Sequence, residues 1–378
     1  MAKLDKQGLN TFIRELDKHI NAKINRLNLN TLEQSQCTLS EMKKEFAIGS
    51  SDGNISSVTE WSQVTVPSSF NARQRACCYG NGYYIVAGTS GQMIYSTDGV
   101  NWAQAESFTS DVITGLAYGN GRFIAVDSNG KIFVSSMPTK WTLVYENELI
   151  IESVRYINNR FVSVGQGGFI ATSQTGTEWK QLIPFTSNNL IDITYGNGYY
   201  VAVGASGSIF RSINTEDWFD HSISDFGDIR TAMYSGNGFV AGGAGGKIAY
   251  SFDGIHWDMA TNNTTSTVSW IRGFAYAEGR IYTVMYTSAG KGEIWVSVDN
   301  GVSWSVVKSG VGRLWCVCYG DGIFITSGDN GAVYALNLGI EWQSTEPYSE
   351  NNVWYRYISI LSNGDRIISE SYKSELAK

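Results

Sequence analysis

Charged and aromatic residues recur at one position of a repeated segment, four residues before each Tyr-Gly-Asn-Gly turn or its equivalent. The position holds Arg75, Thr114, Glu152, Ile191, Arg230, Arg272, Trp315 and Tyr357. Guanidinium groups bind carboxylates through paired, charge-assisted hydrogen bonds. The three arginines, together with Glu152, could therefore bind an anionic sugar. The alternative is a solvated rim whose charges pair with one another.

Other residues that carry chemistry do not form a recognisable set. The chain has three histidines, His19, His221 and His256, and none belongs to a cluster with metal-ligand spacing. It has no nucleophile elbow, phosphate-binding loop or Cys-x-x-Cys pair in the required context. Its Gly-x-Gly strings precede strands rather than helices, which argues against a dinucleotide site. We therefore expect no catalytic residues, no metal and no cofactor.

The elements that position these residues are copies of one unit. Tryptophans close successive copies at spacings of 41, 39, 38, 39, 39, 47 and 38 residues, at Trp61, Trp102, Trp141, Trp179, Trp218, Trp257, Trp304 and Trp342. Each copy contains an Asn-Gly turn, an apolar run such as residues 84–87, a second Gly-rich turn and a third strand that leads to the Trp. A period of about 40 residues with this pattern is typical of a β-propeller blade.

The number of strands predicts the number of blades. Eight segments carry the Trp-bearing fourth strand, and eight hairpins supply first and second strands, the last over residues 357–368. We expect an all-β, eight-bladed propeller, with seven blades as the alternative if one weak copy is only a loop. We also expect a split blade, in which the C-terminal hairpin joins residues 48–61 and so removes free sheet edges.

A propeller would place the recurrent position at one mouth of its axis, because first strands line the central channel. The loops from fourth to first strands differ between copies and carry aromatic residues, expected to be exposed, among Asn, Ser and Thr: Tyr145, Phe185, Phe226, Trp270, Tyr348, Trp354 and Tyr355. Unlike loops on a rigid scaffold are typical of binding surfaces. We therefore add Trp270, Trp354 and Tyr355 to Arg75, Glu152, Arg230, Arg272, Trp315 and Tyr357 as candidate ligand-binding residues. The alternative is that these aromatic residues only cap the blades.

The first 45 residues are the only segment with a helical pattern. An apolar stripe recurs every three or four residues, at Leu9, Ile13, Leu16, Ile20, Ile24 and Leu27. We expect two parts: residues 1–45, a helical segment for attachment or oligomerisation, and residues 46–378, a propeller for recognition. A stripe of this length needs a partner, which is either the propeller itself, a second copy (a homotrimer is one option) or a larger assembly.

Composition and charge exclude several classes of partner. The net charge of −7 gives no general attraction for nucleic acid. No apolar run reaches the length of a membrane span, and the N-terminus lacks the apolar core of a signal peptide. We therefore expect no membrane insertion and no secretion through a signal peptide.

The opening residues resemble a group of known proteins. Residues 2–13, with Lys3-Leu4-Asp5 and Gly8-Leu9 ahead of the amphipathic stripe, look like the N-termini of tail-fibre and receptor-binding proteins from phages and prophages of Gram-positive bacteria. Phe12 and Ile13 stand where that family often has Trp or Tyr. The resemblance implies attachment to other tail or baseplate proteins through the helix, and a location in a virion or phage-tail-like particle.

The repeats resemble a second family, the Asp-box (BNR) propellers. Residues 297–304 fit the Ser-x-Asp-x-Gly-x-Thr/Ser-Trp pattern, and residues 96–102 and 251–257 fit it with one residue deleted. In such loops the Asp accepts backbone N–H bonds, the Gly turns the chain and the Trp packs between blades. The family includes sialidases, which implies an arginine clamp, a Tyr/Glu nucleophile pair and an Asp acid, but the sialidase opening motif is absent here.

These observations favour a non-enzymatic recognition protein. The main hypothesis is a receptor-binding protein of a phage or phage-tail-like particle, which binds a bacterial surface glycan or protein through one propeller face. The alternatives are a glycan-cleaving, sialidase-like propeller and a cellular assembly factor, as in the photosystem-assembly propellers of the Asp-box family.

Overall fold

The computed structural model describes residues 46–47, 61–262, 268–337, 349–350, 353–359 and 366–373. The chain forms two compact units. One contains residues 55–339, and the other contains residues 1–54 together with 340–378. The predicted attachment helix, with Leu9, Ile13, Leu16, Ile20, Ile24 and Leu27, lies outside the described residues, and so does Trp342.

The unit of residues 55–339 is a seven-bladed β-propeller. Its sheets are four-stranded and antiparallel, and a fifth, parallel strand is added to blade 6. The strands are given from the axis outwards. They are Gln74–Gly80, Tyr83–Gly88, Met93–Ser96 and Ala103–Ala105 in blade 1, and Ile113–Gly119, Arg122–Asp127, Lys131–Ser135 and Thr142–Glu146 in blade 2. They are Ile151–Ile157, Arg160–Gly165, Ile170–Ser173 and Lys180–Gln181 in blade 3, and Leu190–Gly196, Tyr199–Gly204, Ile209–Ser212 and Trp218–Asp220 in blade 4.

The other three blades follow the same plan. Their strands are Ile229–Tyr234, Phe239–Gly243, Ile248–Ser251 and Asp258–Met259 in blade 5; Val268–Ala277, Arg280–Thr287, Lys291–Ser297 and Ser303–Gly312, with the added Thr261–Asn262, in blade 6; Leu314–Gly320, Ile323–Gly328, Val333–Asn337 and Ser62–Val64 in blade 7. Single 3₁₀ turns join second to third strands at Thr89–Gly91, Gln166–Gly168, Ala205–Gly207 and Asp329–Gly331. Among the described residues, no helix is long and apolar enough to cross a membrane.

The prediction of eight blades was wrong, and the alternative of seven is what the structure has. Ser62–Val64 pairs with Val333–Ala335, so the strand after Trp61 fills the outer edge of the seventh sheet. The first strand of blade 7 then contacts the first strand of blade 1 directly, which leaves no place for an eighth sheet. The prediction of a split blade is therefore confirmed. The N-terminal strand, however, joins the blade that contains the hairpin Leu314–Gly328 and does not join the C-terminal hairpin.

The C-terminal hairpin belongs to the other unit. Its strands Val353–Ser359 and Arg366–Lys373 pair with each other, and Arg366–Lys373 also pairs with Phe46–Ala47. The short strand Ser349–Glu350 completes this antiparallel sheet. The candidate residues Trp354, Tyr355 and Tyr357 lie on Val353–Ser359, so Tyr357 is not an eighth member of the propeller ring.

Second strands are buried on both faces, as their continuous apolar runs predict. In Tyr83–Gly88, for example, every residue after Tyr83 is buried, whereas the outermost strand Thr142–Glu146 has no buried residue. The core of the ring therefore lies between sheets, close to the axis. Each pair of neighbouring blades shares one apolar cluster, such as that of Trp61, Tyr282 and Phe324 between blades 6 and 7.

Glycine at the end of a first strand allows neighbouring blades to approach each other. A Cβ on Gly320 would lie 2.0 Å from Tyr79 Cγ of blade 1, and a Cβ on Gly80 would lie 2.0 Å from Tyr118 Cγ of blade 2. Gly119 and Gly196 meet Tyr156 and Tyr234 in the same way, so each of these four glycines packs against a Tyr of the next blade. The hydroxyl of Tyr84 adds a hydrogen bond to the carbonyl of Gly320 across the closure.

The Ser-Asp-Gly loops before the tryptophans are held by their own side chains. Asp98 Oδ1 accepts hydrogen bonds from the backbone N–H of Val100 (2.9 Å) and of Asn101 (2.7 Å). The indole of Trp102 donates to the carbonyl of Gly99 at 3.1 Å. In blade 4, where Asn214 replaces the Asp, its side-chain oxygen accepts two backbone N–H bonds in the same way. These contacts stabilise the loop itself, as expected from the residue pattern.

The Gly320–Tyr79 contact predicts the effect of adding one methyl group. Gly320→Ala places a Cβ inside the van der Waals radius of the Tyr79 ring, so we expect the free energy of unfolding to fall by about 3 kcal/mol. Urea unfolding followed by tryptophan fluorescence measures this change. Gly312→Ala is the matched control, because a Cβ there meets nothing within 4 Å. Equal losses for the two variants would contradict the packing described.

The Asp98 loop predicts a pH-dependent contribution to stability. The N–H of Asn101 is the largest cause that holds the pKa of Asp98 below its ordinary value. An unfolded Asp titrates near pH ~4, so the ionised side chain stabilises the fold above that pH and loses this effect as the pH falls towards the lowered folded-state pKa.

We therefore expect Asp98→Ala to lower the free energy of unfolding by about 1 kcal/mol at pH 7. The difference from the wild type should shrink below pH ~4. Asp258→Ala, at an exposed site, is the control and should change stability by less than about 0.5 kcal/mol. A difference between Asp98→Ala and wild type that grows as the solution becomes more acidic would exclude this role for the carboxylate.

Candidate functional site

One end of the propeller axis opens into a cavity of about 100 Å³ lined by first strands. Seven of the eight predicted positions line it: Arg75, Thr114, Glu152, Ile191, Arg230, Arg272 and Trp315. We call this set the mouth. It brings together Arg75, Arg230 and Arg272 from blades 1, 5 and 6 with Glu152 from blade 3, while the eighth position, Tyr357, lies in the other unit. That these residues bind a ligand stays a prediction.

A β-bulge in every first strand produces the mouth. In all seven blades the pairing between first and second strands slips by one residue, and the extra residue is the mouth residue. A bulge leaves one residue unpaired and re-aims its side chain. In blade 6, for example, Ile271 is fully buried in the core while Arg272, the next residue, lines the cavity. The bulges therefore let an apolar core strand present a polar residue to the axis.

Arg272 is the most enclosed of the three arginines of the mouth. Its guanidinium carbon lies 4.3 Å from the ring centroid of Trp315 and 5.2 Å from those of Trp270 and Tyr286. Its Nη2 donates a hydrogen bond of 2.9 Å to the Tyr286 hydroxyl, and its buried Nε has no partner. Burial lowers the pKa of Arg272 to about 10, so the side chain stays charged at neutral pH but is poorly solvated.

Arg230 is half-buried and partly paired. Its Nη2 lies 2.9 Å from Asp228 Oδ2, and its guanidinium carbon lies 4.9 Å from the ring centroid of Trp270. The Nε of Arg230 is buried without a partner. Trp270 therefore stands between the guanidinium groups of Arg230 and Arg272, and its ring attracts both cations.

Arg75 carries a charge that no neighbour neutralises. Within the described part of the chain its guanidinium makes no hydrogen bond and no ion pair within 4 Å. Burial is the main cause that lowers the pKa of Arg75; Glu152 opposes the shift, and the positive charges of Arg230 and Arg73 add to it. Binding of an anion would compensate both the burial and the mutual repulsion of these cations.

The second carboxylate in the cavity is already bound. Asp192 is buried and accepts two hydrogen bonds from Arg155, from Nε at 2.9 Å and from Nη2 at 2.7 Å. It also accepts the hydroxyl of Ser153 at 3.0 Å and the backbone N–H of Ala232 at 3.1 Å. One side chain thus joins blades 3, 4 and 5 at the axis. The Asp192 carboxylate is the main cause that raises the pKa of Arg155.

Four thiols lie at the ring closure: Cys78 and Cys316 are buried, and Cys77 and Cys318 are half-buried. Cys77 of blade 1 and Cys316 of blade 7 line the cavity, and Cys316 Sγ lies 3.0 Å from Ser327 Oγ. Burial, and then the neighbouring thiols of Cys316 and Cys318, raise the pKa of Cys77 well above its ordinary value. A thiol that stays protonated at neutral pH is a poor nucleophile.

The predicted aromatic platform is largely absent from the propeller. Phe226 is 2% exposed and packs in the core, and Phe185 stacks on Trp218 with ring centroids 4.6 Å apart. Tyr145 is half-buried, and its hydroxyl donates a hydrogen bond to the side-chain oxygen of Gln181. The prediction that these loop aromatics are exposed was therefore wrong for Phe226, because the loop folds back and covers the blade. Among them Trp270 reaches the mouth.

Sequence reasoning missed the groups that support the mouth. Arg155 and Asp192 were not singled out, although a charged residue inside the apolar run Leu190–Gly196 is a signal of a buried partner. Arg73 and Tyr286 were also missed. Arg73 donates to Asp329 Oδ1 at 3.1 Å, and Trp315 donates to the same oxygen at 2.7 Å. Over the ranges that the structure describes, no group of three or more His, Cys, Asp or Glu side chains could hold a metal ion.

The Arg155–Asp192 pair predicts a loss of stability when its charge is removed. Asp192→Asn leaves Arg155 without its counter-charge at the axis, and we expect the free energy of unfolding to fall by about 2–3 kcal/mol. Asp228→Asn is the control, because the Asp228 side chain is 34% exposed and an exposed pair contributes about 0–1 kcal/mol. Chemical denaturation compares the two, and a larger loss for Asp228→Asn would contradict the assignment.

Comparison with known proteins shows the fold alone. No family model matches the chain, and no curated protein matches it. Solved structures match the propeller: YCF48 from Cyanidioschyzon merolae is 17% identical, with 74% of this chain and 98% of that chain covered and a TM-score of 0.59. A structure of YCF48 bound to D1 peptide is 13% identical, with 78% and 98% covered and a TM-score of 0.59. The WD40 repeats of RRP9 are 8% identical, with 78% and 99% covered and a TM-score of 0.60.

Proposed function

We propose that the propeller is a non-enzymatic recognition module that binds an acidic peptide segment of a partner protein at the arginines of the mouth. The observation that carries the proposal is the state of those arginines. Arg75, Arg230 and Arg272 line one cavity. The Nε atoms of Arg230 and Arg272 are buried without a partner, and burial lowers the pKa of Arg75 and of Arg272. A carboxylate that enters the cavity would satisfy several of these donors at once.

A peptide fits the mouth better than a sugar ring does. Sugars commonly stack on exposed aromatic faces, whereas Phe226 is buried and Phe185 is half-buried against Trp218. The ring of Trp270 faces the guanidinium groups of Arg230 and Arg272. A cavity of about 100 Å³ suits the tip of a side chain, which an extended peptide can insert while its backbone stays outside.

The carboxylates of the mouth favour binding over glycoside hydrolysis. Retaining and inverting glycosidases use two carboxyl groups that face each other across the substrate. Glu152 and Asp192 are the two acids that line the cavity, and Asp192 is engaged by Arg155, Ser153 and a backbone N–H. That leaves Glu152 as the carboxylate free to act on a ligand in this part of the described chain.

A cellular assembly factor is the role that agrees with these features. Such a protein holds a segment of a client without altering it, and a rigid ring with a small charged mouth suits that task. One of the similar structures, YCF48, is described with a bound D1 peptide, which supports a peptide as the kind of ligand.

A receptor-binding protein of a phage or phage-tail-like particle is the second candidate function. The observation that favours it is the resemblance of residues 2–13 to tail-fibre N-termini. In that case residues 1–45 attach the protein to tail or baseplate components, and the mouth binds an anionic group of a bacterial surface glycan or protein.

Peptide binding tests the first proposal directly. The probes are fluorescein-labelled eight-residue peptides of Gly and Ser that carry three Glu, three Gln or three Lys residues. We expect fluorescence anisotropy to show binding of the Glu peptide alone, weakening as salt is added. Arg75→Ala should weaken it at least about tenfold, because an arginine that contacts a ligand carboxylate typically contributes more than about 1.4 kcal/mol.

Arg122→Ala is the matched control. Arg122 is exposed and starts a second strand, at the end of its blade opposite to the mouth, so its loss should leave binding unchanged. Equal binding of the Glu and Gln peptides, or equal effects of the two arginine variants, would refute the proposal. Binding of sialylated or uronic-acid glycans on an array, with no binding of the Glu peptide, would favour the receptor-binding candidate instead.

A further inference from the structure

Charges around the mouth are distributed unevenly. Arg230, Arg272 and Arg75 lie on blades 5, 6 and 1. Trp315 lies on blade 7, between Arg272 and Arg75, and the guanidinium carbon of Arg73 is 4.9 Å from the ring centroid of Trp315. The opposite side of the mouth consists of Thr114, Glu152 and Ile191 on blades 2, 3 and 4. One side is therefore cationic, and the other carries a single negative charge.

Glu152 is an acid without a counter-ion. Within the described ranges it makes no hydrogen bond and no ion pair within 4 Å. Arg155 is a cation on the same strand as Glu152, but its Nε and Nη2 already donate hydrogen bonds to Asp192. Arg75 is close enough for Glu152 to act on its pKa, but the two do not form an ion pair, and Thr114 of the intervening blade lies between them.

Thr114 is held in place by hydrogen bonds to the backbone. Its hydroxyl donates to the carbonyl of Val126 on its own blade or to that of Ile151, the residue before Glu152. The separation of the positive and negative sides is thus built into the strands, and a ligand meets both charges at once.

We infer that the mouth selects a peptide segment of mixed charge, in which an acidic side chain contacts the arginines of blades 5, 6 and 1 and a nearby basic side chain contacts Glu152. This inference rests on the proposed function, and it adds the charge pattern of the ligand. Glu152 acts as a specificity-determining residue. Glu152 repels a purely acidic segment and attracts a segment whose basic side chain reaches blade 3, so it both weakens the wrong ligand and strengthens the right one.

Two further probes test this inference on the full-length protein. Each is the Glu peptide described above with one Ser replaced by Lys, in one case before and in the other case after the acidic residues. We expect the wild type to bind at least one of the two Lys peptides about tenfold more tightly than the Glu peptide that lacks Lys. In Glu152→Gln this preference should disappear, and the Glu peptide that lacks Lys should bind more tightly than it does to wild type.

Glu152→Lys should reverse the preference, so that the Glu peptide without Lys binds more tightly than the Lys peptides. Glu148→Gln is the control: it lies at an exposed site four residues earlier and should leave the preference for the Lys peptide intact. Thermal unfolding of each variant checks that the ring stays folded. If the Glu peptide binds but Lys brings no advantage, or if the advantage survives in Glu152→Gln, the inference is overturned and the proposed function stands. If no Glu-containing peptide binds, both are overturned.

Discussion

The pairing of Ser62–Val64 with Val333–Ala335 is the interaction on which the rest of the propeller depends. It supplies the outer strand of the seventh sheet from the beginning of the ring, so that blade 7 is complete and its first strand lies against that of blade 1. A pairing between distant parts of the chain closes the circle and leaves no open edge at the joint. The mouth exists only in the closed ring, because its residues come from seven different first strands.

Within the closed ring, the bulges turn one residue of each first strand towards the axis, where we propose that a ligand binds. Each first strand buries one residue, which is apolar in six blades and Gln74 in blade 1, and presents the next one to the axis. The core is thus independent of the residues that face a ligand. Three of these residues are arginines whose burial is offset only in part by Trp270, Trp315, Tyr286 and Asp228. Their remaining donors support the proposal that the mouth binds a negatively charged group, whereas Asp192 is already bound by Arg155.

Much of this could be predicted from the sequence, and the failures have physical causes. The Trp and Asn-Gly periodicity predicted a propeller, and the alignment of copies placed Arg75, Glu152, Arg230, Arg272 and Trp315 around one mouth, since equivalent positions of a repeat are equivalent in space. The blade number was wrong because periodicity counts copies but does not show which strands pair: Trp61 joins the hairpin that starts at Leu314, and the last hairpin pairs with Phe46–Ala47. Phe226 was taken for an exposed residue because burial of a loop depends on tertiary packing, and the Arg155–Asp192 pair joins blades that no local pattern connects.

The central claim is that acidic peptide segments bind at the mouth, and photo-crosslinking tests it most directly. A peptide that carries a benzophenone group beside its Glu residues is irradiated with the full-length protein, and the modified segments are identified by mass spectrometry. The account predicts cross-links within residues 73–77, 228–232, 270–274 and 313–317, which surround the arginine side of the mouth. Cross-links in the Asp-box loops, such as residues 96–102 and 251–257, or in the sheet that contains residues 353–373, would contradict it, as would the absence of any cross-link.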